Sequence, residues 1–171
     1  MKKFIVFEKS NKRQKEEYIQ NVIFPNTNEG EDFDILVIED GTVPSVGAFE
    51  TFCSRWEKAC AVADRKFNKI SRVRGIIGGK PAELIHAIID NIDDGDTLYI
   101  DIDGASKELS MILMMAFKYA FMLKPDTILV EIISSGMNLK SFVILDLIID
   151  GLSSKIKDPE KLLDTIITLK I

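Results

Sequence analysis

The chain is poor in the residues that most often carry metal and nucleophilic chemistry, with one histidine and two cysteines in 171 residues. No Ser-His-Asp spacing accompanies His86, so it reads as a boundary side chain of a helix rather than a general base. Cys53 and Cys60 would lie on one helix face two turns apart, too far for an unstrained disulfide, and read as reduced core thiols. Positive charge is also scarce: 22 Lys and Arg face 27 Asp and Glu, a formal net charge of −5. That balance excludes a surface that coats duplex nucleic acid, although it leaves a local basic pocket open. Long apolar runs are lacking as well. The best candidate, Leu109 to Leu123, carries Lys118 in its middle and falls short of the roughly 18 residues of a membrane span. The amino-terminal run Phe4-Ile5-Val6-Phe7 stops at Glu8, which fits a strand rather than a leader. Together these absences predict a cytoplasmic protein with no membrane partner, no metal and no resident cofactor.

What is present is ordinary for a folded protein: 46% hydrophobic and 29% charged residues. One domain spanning residues 1–171 is expected, since the length does not allow two well-buried cores. Strands are predicted at Lys3–Phe7, Phe33–Ile38, Arg72–Ile77, Thr97–Ile102 and Thr127–Ile133. The run Ile35-Leu36-Val37-Ile38 is apolar on both faces, as a parallel strand requires. Helices are predicted from Lys12 to Val22, Phe49 to Phe67, Pro81 to Ile92, Ser106 to Leu123 and Phe142 to Leu152, with a last one opened by Asp158-Pro159-Glu160. The tail 165–171 fits either an extension of that helix or an edge strand. Pro81 suits a first helical position, Asp93-Asp94-Gly95-Asp96 a helix stop and Pro125 another. Strands alternate with helices throughout, so the fold class is α/β and Rossmann-like, a mostly parallel sheet with helices on both faces.

In such sheets ligands bind beyond the carboxyl ends of the strands. Three ends stand out: the one leading to Ser10, Asn11 and Lys12, the one leading to Asp103, Gly104, Ala105, Ser106 and Lys107, and the one leading to Ser134, Ser135 and Gly136. The middle loop carries the chemistry. Gly104 and Ala105 let a ligand approach the backbone, and Ser106 can cap the next helix while offering its hydroxyl. The helix start presents unpaired N–H groups and partial positive charge to an anion, and Lys107 adds a formal charge there.

The segment from Pro81 to Leu152 resembles the CRISPR-associated Rossmann fold (CARF) family, sensor domains for cyclic oligoadenylates. Its members show a strand ending in Asp-x-Thr-Gly-Gly-Thr-Lys or Asp-x-Thr-His-Gly-Phe-Arg before a long apolar helix. The matching text here is Asp101-Ile102-Asp103-Gly104-Ala105-Ser106-Lys107, followed by Leu109-Ser110-Met111-Ile112-Leu113. Ile128 to Gly136 and Phe142-Val143-Ile144-Leu145 are also similar. The main departures are Asp103 for the usual Thr and Ala105 for the second Gly. The resemblance implies a homodimer that binds a cyclic oligonucleotide across its axis, with 103–107 on the phosphates and Ser10, Asn11 and Lys12 contributing. The residues after Gly151 are too few for an appended effector, so a stand-alone member is expected. Some such members are metal-independent ring nucleases. In them the resemblance implies Lys107 on the phosphorane-like charge and Ser10 or Ser106 orienting the ribose, Lys107 and Ser10 being the catalytic candidates.

Two other readings start from the same text. Asp101 and Asp103, with Glu39-Asp40-Gly41, resemble the acidic set with which TOPRIM domains hold magnesium for phosphoryl transfer. Alternatively, the chain would be a non-enzymatic dimeric scaffold: Leu109–Leu123, with its Met and Phe residues on nearly every side, reads first as a central helix covered by its neighbours and otherwise as one with a face in a subunit interface. Trp56 is expected in the core, and Arg72, Arg74 and Lys80 on a solvated strand flank.

Overall fold

Five parallel strands form one sheet in the order β3-β2-β1-β4-β5, the arrangement of a doubly wound α/β fold. They are β1 (Lys2–Phe7), β2 (Phe33–Glu39), β3 (Phe67–Arg74), β4 (Thr97–Asp101) and β5 (Ile128–Ile133). The structure is a computed structural model and describes residues 1–7, 19–39, 48–65, 67–74, 81–101, 105–133, 150–151, 154–158, 161–162 and 164–165. Helices among the described residues include α1 (Ala48–Val62), α2 (Pro81–Ile89) and α3 (Lys107–Leu123), with a π-helical turn Ile19–Ile23 running into Phe24–Asn26.

Side-chain alternation along the strands divides the core into two layers. Ile5, Phe7, Leu36, Ile38, Leu98 and Ile100 pack beneath α2 and α3, against Leu84, Ile85, Ile88, Leu113 and Phe117. The opposite side chains, Phe4, Val6, Phe33, Ile35, Val37 and Tyr99, pack against Ile19, Val22, Ile23, Trp56 and Cys60. Helices therefore cover both faces, as the alternating pattern requires. Phe4 ties three strands together on the second face, stacking on Tyr99 at 4.7 Å and meeting Phe33 edge-on at 5.4 Å. Trp56 is 2% exposed, the core position expected of it. The apolar residues of α3 from Leu113 to Ala120, Phe117 and Tyr119 included, are buried within the chain itself, so this stretch requires no partner subunit to cover it.

Boundaries differ from expectation in three places. The helix expected to reach Phe67 ends at Val62, and the third strand is Phe67–Arg74 rather than Arg72–Ile77. Asp64 takes a left-handed backbone with φ 50°. Arg65 N–H then donates to the Cys60 carbonyl at 2.8 Å and Asp64 N–H to that of Ala61 at 3.3 Å. These two bonds are the Schellman closure, here made by Asp where glycine is the usual signal. The helix expected to end at Val22 continues through Asn26, because proline near the start of Phe24–Asn26 forfeits no helical hydrogen bond. Asn26 and Thr27 then donate to the carbonyls of Val22 and Ile23, both at 2.8 Å. Finally, α2 stops at Ile89 and tightens into i→i+3 bonds, Ile92 N–H to Ile89 carbonyl at 3.0 Å, while Ile92 stays fully buried.

An ionic cluster holds the amino-terminal end of the sheet. Lys3, 4% exposed, pairs with Asp96, 2% exposed, at 2.7 Å and donates to the Asn91 carbonyl at 2.6 Å. Asp96 also accepts from the Asp93 N–H at 2.8 Å, which shapes the turn into β4. From the end of α3, Lys124 donates to the carbonyls of Ile89 and Ile92. Two ammonium groups thus satisfy the carboxyl end of α2, where orphan carbonyls and partial negative charge collect.

Candidate functional site at the carboxyl ends of the strands

The strand order reverses between β1 and β4: successive connections build outward to β2 and β3 on one side and to β5 on the other. Loops leaving two such strands diverge to opposite faces and open a crevice at the carboxyl edge, the usual ligand position of this architecture. Phe7 and Asp101 end the two flanking strands, with Val6 paired to Asp101. The three strand ends singled out from the sequence belong to β1, β4 and β5, which are neighbours in the sheet.

Of the expected site residues, Ala105, Ser106 and Lys107 fall on described positions. Ser106 is the N-cap of α3, with φ −61° and ψ 156°, and its hydroxyl accepts from Leu109 N–H at 3.2 Å. Its carbonyl accepts from Ser110 N–H at 2.8 Å, so the helix begins with regular geometry. Ser106 is exposed and Ala105 half-buried against the α2–α3 core. The start of α3 is therefore open to solvent and anchored from below. Lys107 is the first residue of α3; its side chain lies outside the described residues, as do Ser10, Asn11, Lys12, Asp103, Gly104, Ser134, Ser135 and Gly136.

No family model, curated protein or solved structure matches the chain. The site must be read from its own geometry.

Of the acidic set read as a magnesium site, only Glu39 and Asp101 are described, and they stand apart. Val37, Val6 and Asp101 share one rung of the sheet, so Glu39 lies two strands away from Asp101 and two residues higher. Strand spacings of about 4.8 Å and a rise of about 3.3 Å per residue put their backbones roughly 12 Å apart. Glu39 is instead buried and ion-paired with Arg72. No group of three His, Cys, Asp or Glu able to hold a metal occurs among the described residues; Asp40 and Asp103 lie outside them. His86 sits half-buried on α2.

Sequence reasoning missed two features. The Glu39–Arg72 pair joins residues 33 positions apart, and its only legible signal was a charge ending an apolar strand. A cavity of about 150 Å³ also lies at the amino-terminal end of the sheet, lined by Lys3, Asp34, Lys69, Ser71, Asp90, Asn91 and Asp93. Lys3, Asp34 and Lys69 alternate in sign along one rung, and Lys3 is already committed to Asp96 and Asn91. That cavity sits at the opposite edge of the sheet from the carboxyl ends of the strands. No helix among the described residues is long and apolar enough to cross a membrane.

Proposed function

We propose that the chain is a CARF-like cytoplasmic sensor that binds a cyclic oligoadenylate in the crevice between β1 and β4. The observation that carries this reading is the reversal of strand order beside a long, Ser-capped, solvent-open helix start at β4. A phosphate there would meet amide donors and the positive end of a helix dipole, and Lys107 would add charge. Ser10, Asn11 and Lys12 would approach from β1, and Ser134, Ser135 and Gly136 from β5. A homodimer would present two such crevices to one ring.

If the ring is cut, the chemistry requires positioning more than a metal. The ribose 2′-oxygen attacks the adjacent phosphorus, the P–O5′ bond breaks, and a 2′,3′-cyclic phosphate and a 5′-hydroxyl result. Lys107 would stabilise the charge on the phosphorane oxygens, and Ser10 would orient the ribose. The deciding experiment incubates the protein with cyclic tri-, tetra- and hexa-adenylate in EDTA, scoring thermal shift and linear products. A shift without products identifies a sensor, and products in EDTA identify a ring nuclease. Absence of both with every ring removes the proposal.

A further inference from the structure

The two outer strands of the sheet are built differently. β3 carries Asn68, Lys69, Arg72 and Arg74, the polar and charged side chains with which an open edge discourages further pairing. β5 is the other outer strand among the described residues. It reads Ile-Leu-Val-Glu-Ile-Ile, the composition of a parallel strand covered on both faces. Ile128, Leu129 and Val130 are instead 58%, 39% and 52% exposed. Met122 and Leu123, one tight turn before β5, are exposed as well. Successive open apolar residues on an outer strand call for a neighbour.

The course of the chain beyond β5 indicates which one. The connections from β3 to β4 and from β4 to β5 run through α2 and α3 on one face, and both carry the chain in the same direction across the sheet. Described residues after β5 stay on that face. Asp150 pairs with Lys118 of α3 at 3.0 Å, and the fully buried Leu162 joins the core beneath α2 and α3. Parallel crossovers keep one hand, so a further connection on this face delivers its strand outside β5. Helical bonding persists to Thr165, whose hydroxyl donates to the Lys161 carbonyl at 2.7 Å. The residues that follow, Ile166-Ile167-Thr168-Leu169-Lys170-Ile171, are mostly β-branched and apolar, as a strand requires.

We propose that residues 166–171 dock along β5 as a sixth parallel strand and cover Ile128, Leu129 and Val130. This docking is independent of whatever the crevice binds, and it closes to a second copy an edge that would otherwise pair with one. Ile128 N–H donates inward to the Asp96 carbonyl at 2.8 Å, so by alternation Leu129 N–H points outward and reports the neighbour. The test follows hydrogen exchange at Leu129, with Ile5 and Leu36 in β1 and β2 as controls for global opening. The proteins are the wild type and full-length Ile167→Pro/Thr168→Pro, whose prolines remove strand donors from both alternations. Leu129 should exchange slowly in the wild type and about tenfold faster or more in the variant, with the controls unchanged. Fast exchange at Leu129 in the wild type overturns the proposal. So does slow exchange in both proteins; if it then weakens on dilution and the protein sediments as a dimer, a second copy holds the edge. If the prolines speed the controls too, Leu129→Cys combined in turn with Thr168→Cys, Leu169→Cys or Lys170→Cys decides. An intramolecular disulfide in one of these full-length chains supports the docked strand, and none in any of them refutes it.

Discussion

Asp96→Asn is the perturbation whose cost follows most directly from the structure. The substitution preserves size and one acceptor oxygen, so the 2.8 Å bond from Asp93 N–H can persist. It removes the charge that faces Lys3 at 2.7 Å, with both residues under 5% exposed. Breaking a buried pair by neutralising one partner costs about 3–5 kcal/mol, because the remaining ion stays desolvated. Lys3 keeps the Asn91 carbonyl and has the Asp93 carboxylate at 3.7 Å, but the Asp93 side chain is 86% exposed and screened by water. The low end, about 3 kcal/mol, is therefore expected. For a chain of this length that corresponds to a fall in Tm of about 6–12 °C. Urea titrations of the wild type, Asp96→Asn, Lys3→Met and Lys3→Met/Asp96→Asn would measure it. The double variant should recover much of the loss, with a coupling of about 2 kcal/mol or more. A single-variant cost below about 1 kcal/mol, or a double variant as unstable as the summed singles, would refute the assignment of a desolvated, mutually dependent pair.

Three smaller expectations accompany it. Asp64→Gly should raise stability by about 0.5–1 kcal/mol by relieving a left-handed non-glycine residue, since Asp64 is exposed with φ 50°; a loss in urea titration would show that the Asp side chain contributes more than its backbone costs. Burial pushes the Cys60 thiol up to about 11 and, together with Glu57 and Glu50, raises that of Cys53. Native Cys60 should therefore resist a thiol reagent at pH 8 until urea unfolds the chain. Its share of stability, complete below the unfolded value near 9, should be lost as pH rises to about 11. Prompt native labelling of both thiols would contradict that burial. Ser106→Ala should cost about 1 kcal/mol and Ser106→Gly only a few tenths, given the 3.2 Å bond to Leu109 N–H; equal costs for the two in thermal melts would mean that the cap is not made.

Legibility from sequence followed the range of the interactions involved. β2, β4, β5 and α3 lie within about a residue of their expected limits, because periodicity, Pro81, Pro125 and the 93–96 stop are local signals. β3 was displaced because its sequence, Phe-Asn-Lys-Ile-Ser-Arg-Val-Arg, is that of a half-polar outer strand, and the helix stop before it uses Asp64 in place of glycine. At the site, the cap at Ser106 was legible, since a Ser before an apolar helix states its own role. The Glu39–Arg72 pair was not, because its members lie on different strands and only the sheet order brings them together.

That order also bears on how the chain is made. β1 lies in the middle of the sheet, but its second neighbour begins 90 residues later, from Phe7 to Thr97. At translation rates of about 5–20 residues per second, β1 waits about 5–20 s for β4 to leave the ribosome. During that interval the strands already synthesised can shield one side of the nascent sheet with α1. The side destined for α2 and α3, with Ile5, Phe7, Leu36 and Ile38, has only α2 from residue 89 onward and lacks α3 throughout. A chaperone that grips apolar strands would find its binding window there, and slowing synthesis between residues 74 and 97 should lengthen it.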